Sequence, residues 1–249
     1  MKENNVVVVL NAYDEFRFNS NTVESIRYAC SRWKCSYLEL TEPRYKSLPE
    51  FKMWNKIWMV ENLKQYDKVL YLDMDMVVSA KAPNLFDELG PNQDLGVVLD
   101  GNPGGRFVND FYKKEHVEIV LTLDDCINVF KNNVPNFNQD HYRDRYFNTG
   151  MLLFRPDKLI GEIERLKDTL LNNKELFEYL SRSWATEQNL LNGWIGSSNI
   201  NIKYMDNKWN WIAPDMENHA LEKPMEAYIY HFCGTLGSKE SLLTFNNWK

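Results

Sequence analysis

Two carboxylates, Asp73 and Asp75, stand at i and i+2 just after the apolar run Val69-Leu70-Tyr71-Leu72. On an extended chain such a pair projects to one side of the backbone. The carboxyl ends of strands are also where α/β sheets hold their ligands. Two hard oxygen donors there suit Mn²⁺ or Mg²⁺, which also take oxygens from a diphosphate. The competing reading is a strand running into a solvated acidic turn, and the motif alone does not separate the two.

A buried sheet is needed to hold such a pair, and the chain has the segments for one. Val6 to Leu10 is an unbroken apolar run of the kind found in strands buried on both faces of a parallel sheet. The pattern predicts a helix over Thr22 to Trp33, a strand over Ser36 to Leu40, a helix near Glu50 to Leu63 and a strand over Val69 to Leu72. This βαβαβ alternation implies helices on both faces of a mainly parallel sheet, an α/β class. Beyond it, Pro83-Asn84-Leu85-Phe86 reads as a short helix start, and Leu95 to Leu99 as a strand ending at Asp100-Gly101. Residues 104–146 mix Gly, aromatic residues and charge around a helix at Glu115 to Lys131, and read as an insertion or lid. Regularity returns with a strand over Gly150 to Phe154, a helix from Arg155-Pro156-Asp157 to about Leu171, a helix near Glu187 to Trp194 and a strand around Tyr228 to Phe232. No repeat, low-complexity tract or linker divides the 249 residues, so a single domain over 1–249 is expected.

Composition narrows the partners. Hydrophobic residues at 44% exclude a disordered chain. A net charge of −6 argues against nucleic acid, although an acidic protein can hold a phosphate through a metal and a few lysines. The start, Met1 to Asn5 followed only by Val6 to Leu10, lacks the form of a signal peptide, and no transmembrane span stands out. Cys30, Cys35, Cys126 and Cys233 have no C-x-x-C spacing and favour reduced thiols, so a soluble protein in a cytoplasmic compartment is expected.

Four segments together resemble glycosyltransferase family 8, which contains glycogenin and the bacterial lipopolysaccharide galactosyl- and glucosyltransferases. They are Tyr66 to Asp75, Phe147-Asn148-Thr149-Gly150, Glu187-Gln188-Asn189-Leu190-Leu191-Asn192 and His231-Phe232-Cys233-Gly234, in the family's order. The start around Asn11-Ala12-Tyr13 matches the nucleotide-binding start more loosely. The resemblance implies a GT-A fold and a retaining, metal-dependent transfer of a hexose from a UDP-sugar, UDP-glucose or UDP-galactose, to a glycan, protein or lipid-linked acceptor. It implies Mn²⁺, with Mg²⁺ as the alternative, held by Asp73, Asp75 and His231. Asp73 would also touch the ribose. Asn11, Ala12, Tyr13, Lys56, Met74, Gly234 and Lys239 would complete the nucleotide-diphosphate site. Asp100, Asn148, Glu187 and Gln188 would face the sugar and carry the catalytic roles.

Each of these residues also has a plain structural reading. His231 could be a satisfied core or surface histidine, and Asn148 could belong to a tight turn before a strand. Glu187 could sit in the first turn of a helix preceded by Thr186. Lys56 could be a solvated helix residue. The insertion's Phe107, Phe111, Tyr112, Phe137, Tyr142 and Tyr146 could stack on acceptor sugars or form a lid's own small core. Two departures from glycogenin-like members limit the comparison. Gly237 stands where those members place a phosphate-contacting lysine six residues after the histidine, with Lys239 two residues further on. The segment between Asp100 and Asn148 is longer, and no tyrosine is identified as a self-glucosylation site.

Two rival functions follow from the same residues. A haloacid-dehalogenase-type phosphatase would use Asp73 as nucleophile and Asp75 as acid/base, with the pair Asp124-Asp125 as a metal-binding imitation. A nucleotide-sugar-binding scaffold without transfer activity would keep the site and lose the chemistry. The donor sugar, acceptor, linkage and oligomeric state are not written in the sequence, and a homodimer stays open.

Overall fold

Val6, Val7, Val8 and Val9 all have zero exposure, because the strand they form is covered on both faces. In this strand, β1 (Asn5–Leu10), alternate side chains enter two separate cores. Val6 and Val8 join one, and Val7 and Val9 the other. Complete burial of each valine contributes about 1.5–3 kcal/mol. The computed structural model describes residues 4–10, 20–40, 55–100, 123–173, 186–212 and 226–232. Asn11, Ala12, Tyr13, Phe107, Phe111, Tyr112, Gly234 and Lys239 lie outside the described residues.

The chain continues through α1 (Ser20–Trp33), β2 (Ser36–Leu40), α2 (Asn55–Trp58) with a 3₁₀ turn at Met59–Leu63, and β3 (Lys68–Leu72). Then follow β4 (Met76–Val78), a 3₁₀ turn at Leu85–Glu88, β5 (Leu95–Leu99), α3 (Leu123–Asn133), α4 (Gln139–Asp144) and β6 (Phe147–Phe154). The last described elements are α5 (Pro156–Asn172), α6 (Thr186–Ile195), β7 (Ile202–Met205), a 3₁₀ turn at Asn207–Asn210, β8 (Trp211–Ile212) and β9 (Ile229–His231).

Six strands form the main sheet in the order β2-β1-β3-β6-β5-β7. β6 alone runs antiparallel to its neighbours, so the sheet is mainly parallel. Helices cover both faces. On one side α1 applies Ile26, Ala29, Cys30 and Trp33, an i, i+3, i+4, i+7 stripe. Its end is marked by Lys34 at φ 56°, with the Cys35 N–H closing on the Cys30 carbonyl at 3.1 Å, a turn that releases the chain directly into β2. On the other side α5 applies Leu159, Ile163, Leu166 and Leu170, its first turn opened by Pro156 at a position where a missing N–H costs nothing.

The reversed direction of β6 positions the site. Its first residues lie at the carboxyl ends of β3 and β5, since Leu72 pairs with Met151 and Leu99 with Phe147. Between Asn148 and Leu153 it takes five steps while β5 takes two, from Val98 to Gly96. This irregularity leaves Thr149 and Gly150 free to point backbone groups at the site rather than along a ladder. A second sheet, β4-β9-β8, stands beside the first. It pairs Met76 and Ile212 with His231, so the histidine meets the segment that follows Asp73.

The described part of the expected insertion is not a detached lid. Phe130 stacks on Phe137 with centroids 5.6 Å apart, Tyr142 packs on both, and Tyr142 meets Tyr146 edge-on. These rings belong to the main core, and Tyr142 and Tyr146 are buried, so neither is exposed for stacking on a sugar. Among the described residues no helix is long and apolar enough to cross a membrane. Cys30, Cys35 and Cys126 are free thiols.

Candidate active site

Asp73 and Asp75 do not share an extended strand. Asp73 follows β3, Met74 and Asp75 turn, and the Met76 N–H reaches back to the Asp73 carbonyl at 3.3 Å. The turn passes the chain from the large sheet into β4 of the small one. It still gathers the carboxylates, because backbone bonds pin each end: Asp73 N–H to the Gly150 carbonyl at 2.8 Å, and Phe232 N–H to the Asp75 carbonyl at 2.9 Å. The second bond brings His231 against Asp75. Ligand atoms of Asp73, Asp75 and His231 all lie within 4.8 Å of one another. Met74 packs on the apolar cluster beneath.

Gly150 makes room for this cluster. A Cβ there would overlap the His231 ring and stand 3.0 Å from both Asp73 Oδ2 and Asn148 Oδ1. The strand therefore approaches the site at a distance only glycine allows.

Charge is distributed unevenly around the three ligands. Asp73 Oδ1 receives the Tyr71 hydroxyl and stands 3.3 Å from the Lys56 ammonium, which also reaches Glu187 Oε1 at 3.1 Å. Lys56 is buried, so the solvated-helix reading of this residue is overturned: it is a cation sandwiched between two carboxylates and lies 5.4 Å from the centre of the Tyr71 ring. Burial works against its charge, but Asp73 and Glu187 override it and hold its pKa above the usual lysine value. Asp75 differs. Its Oδ1 is closed to solvent and accepts no hydrogen bond, although His231 Nε2 lies 3.3 Å away. Burial pushes this carboxyl up, yet the imidazole opposite holds it below the ordinary carboxylate value. Two atoms with outward lone pairs facing at that distance require a proton or a metal ion between them. An imidazole with two carboxylates suits a borderline-hard cation of the Mn²⁺ type, so the residues fit a divalent metal.

The residues expected near the sugar come together on the other side of Gly150. Gln188 Oε1 accepts from the Thr149 N–H at 3.1 Å, Thr149 Oγ1 at 3.4 Å and Asn148 Nδ2 at 3.3 Å. Gln188 Nε2 donates to Asp100 Oδ2 at 3.2 Å. Asp100, Asn148, Glu187 and Gln188 are each buried. Glu187 lies in the first turn of α6, where the helix dipole favours a carboxylate, and also pairs with Lys56; the helix-start reading therefore holds together with the ion pair. Asn148 lies inside β6, not in a turn before it.

Three residues that the sequence reading left without a role belong to this framework. Asn192, one turn after Gln188, both accepts from the Phe147 N–H at 2.7 Å and donates to the Phe147 carbonyl at 2.8 Å, acting as a strand partner where β6 extends beyond its pairing with β3. The i, i+4 spacing of Gln188 and Asn192 was the available signal. Tyr71 anchors Asp73. Asn210 joins His231 to Asn148, and nothing in the sequence marks it.

Residues 7–238 match the family described as Glycosyl transferase family 8. The chain belongs to this family. As a family 8 member it is a glycosyltransferase, and its fold is GT-A. Among solved structures it is similar to the galactosyltransferase LgtC in complex with donor and acceptor sugar analogues, at 16% identity and TM-score 0.57 over 92% of this chain and 87% of that one. It is also similar to a glycosyltransferase involved in glycosylation of the major capsid of PBCV-1, at 16% identity and TM-score 0.56 over 96% and 98%. A third is the bifunctional glycosyltransferase WbbM in its apo form, at 15% identity and TM-score 0.60, where 98% of this chain covers 50% of the other. Identities this low establish shared fold alone. No curated protein matches the chain. Family membership also removes the phosphatase reading. Its second acidic pair opens α3, with Asp124 ion-paired to Arg143 at the surface.

Proposed function

We propose that this glycosyltransferase moves a hexose from a UDP-sugar, UDP-glucose or UDP-galactose, to a carbohydrate-type acceptor with retention of configuration, and that the transfer depends on a divalent metal. The observation that carries the reading is the convergence of Asp73, Asp75 and His231 with an unpartnered, solvent-excluded carboxylate oxygen facing the imidazole. These three residues would hold Mn²⁺, which when bound supplies positive charge that stabilises the departing UDP.

The remaining chemistry belongs to the chain's own side chains. Asp73 keeps Oδ1 for Tyr71 and Lys56, so Oδ2, which borders the space over Gly150, is the oxygen left for a ligand. Asp100, whose Oδ2 already takes the Gln188 amine, accepts a further hydrogen bond from a sugar hydroxyl, and a sugar lacking the matched hydroxyl would lose that bond. Asn148 and Gln188 orient the donor sugar from a framework that is already hydrogen-bonded. Gln188 is a neutral amide whose oxygen accepts from Asn148 and Thr149, which makes it a poor nucleophile; Glu187 gives Oε1 to Lys56 and keeps Oε2 without a hydrogen-bond partner. Transfer is proposed to take place on the front face, the departing phosphate oxygen taking the proton of the attacking acceptor hydroxyl, with a covalent glycosyl intermediate on Glu187 as the alternative.

The test is release of UDP from a panel of UDP-sugars with Mn²⁺ and with chelator, followed by NMR assignment of the product anomer. Metal-dependent turnover with a retained α-linkage supports the reading. Metal-independent turnover or an inverted product overturns it.

A further inference from the structure

Asn210 closes the 3₁₀ turn Asn207–Asn210, is 4% exposed, and lies between Asn148 and His231. Its orientation is not free, because two backbone N–H groups fix the whole chain of amides. A backbone N–H can only donate. The Gly150 N–H points at one terminal atom of Asn148 from 2.9 Å, so that atom is the oxygen. The other terminal atom of Asn148 is then the amine, which donates to Gln188 Oε1, and the Thr149 N–H identifies that acceptor independently.

The constraint extends outward to Asn210. The Asn210 atom 2.9 Å from Asn148 Oδ1 must be its amine, since two carbonyl oxygens would repel. The Asn210 carbonyl therefore faces His231 Nδ1 at 3.0 Å. A carbonyl accepts only, so Nδ1 carries a proton; the ring then meets Asp75 Oδ1 through Nε2 at 3.3 Å, protonated in the imidazolium and presenting its lone pair once that proton is lost or replaced by a metal. Reversing any amide in the series would set donor against donor or acceptor against acceptor at a buried site, each costing about 1–3 kcal/mol.

We infer that Asn210 is a positioning residue that holds His231 as the Nδ1–H tautomer and so aims Nε2 at the Asp73–Asp75 carboxylates. The consequence for metal affinity rests on the proposed metal site; the tautomer does not. The same amide series runs from His231 to Asp100, so the orientation of the imidazole and that of the sugar-facing carboxylate's partner are set by one pair of backbone anchors.

The experiment uses metal-free protein labelled with ¹⁵N-histidine, at the alkaline end of the imidazole titration. With four histidines in the chain, the His231 signal is assigned by its loss in His231→Gln. Long-range ¹H–¹⁵N spectra distinguish the two tautomers, and Mn²⁺ affinity is read separately by EPR titration. Two variants separate positioning from simple support. Asn210→Asp keeps an acceptor opposite Nδ1, Asn210→Leu removes it, and both lack the amine that holds Asn148. The expected result is Nδ1–H in the wild type and in Asn210→Asp, with mixed tautomers in Asn210→Leu and Mn²⁺ affinity there weaker by about 10–100-fold, as for outer partners of metal-bound histidines. An Nε2–H ring in the wild type overturns the inference even if neither variant folds. Equal behaviour of the two variants also overturns it, because Asn210 would then act only through Asn148. An Nδ1–H wild type that binds no Mn²⁺ supports the tautomer and sinks the metal reading instead.

Discussion

At one end of the amide series, Gln188 Oε1 accepts three hydrogen bonds and its amine reaches Asp100, so the sugar-facing groups are braced before any ligand arrives. At the other end, Asp75 Oδ1 is closed to solvent, accepts no hydrogen bond and confronts Nε2 of His231. The first arrangement is satisfied internally, which rigidifies it; the second holds its charge against the imidazole of His231 or a bound cation. The difference separates two kinds of residue. Gln188 and its amide partners hold the fold and the site together, whereas Asp75 and Glu187 each keep one buried oxygen without a hydrogen bond. Lys56 belongs to both, since it touches Asp73 and Glu187.

Substitutions break this contrast in a graded way. Lys56→Met leaves two carboxylates without their shared cation, and the loss of one partner from a buried pair costs about 3–5 kcal/mol, read as a lower urea midpoint. Asp75→Ala removes a ligand and the carboxylate facing His231. Turnover is expected to fall more than about 100-fold, the loss of several kcal/mol of transition-state stabilisation. Gln188→Leu acts on stability while leaving the three ligands in place. It strands the Thr149 N–H and the Asn148 amine at buried positions, so the urea midpoint falls by the equivalent of about 1–3 kcal/mol while Mn²⁺ still binds.

The smallest effect is a pH dependence. The pKa of Lys56 is raised in the folded protein, so its stabilisation is fully present below the unfolded lysine value of about 10.4 and is lost as pH rises above it. Thermal melts from pH 8 to 11 should show wild type losing its advantage over Lys56→Met only in the upper part of that range. A constant difference across the range would mean that the ion pair contributes nothing through charge.

How much of this was legible in the sequence depended on how each residue is satisfied. β1, β3 and β5 were readable because these inner strands carry apolar runs that the solvent-facing alternation of an open sheet would not produce, whereas β2, at the sheet edge, alternates Tyr37, Leu38, Glu39 and Leu40 and is only part-buried. The start of β6 was not. Phe147-Asn148-Thr149-Gly150 has turn-type residues, and only amides from Gln188, Asn192 and Asn210, distant in sequence, make it a buried strand. β4 and β8, at three and two residues, are too short to carry a period. Asp73, Asp75 and His231 were legible as a group through their family pattern. The burial of Lys56 was not, since a lysine on a helix reads as solvated unless its two acidic partners are already known to face it. Asn210 lies furthest from sequence reasoning, because its role is set by the direction of one amide.

The most direct test of the account is calorimetric titration of UDP into the protein with and without Mn²⁺, repeated on Asp75→Ala. The account predicts tight binding in the presence of the metal, little without it, and none in the variant while its fold is retained. UDP binding that is indifferent to Mn²⁺ and survives Asp75→Ala would contradict it.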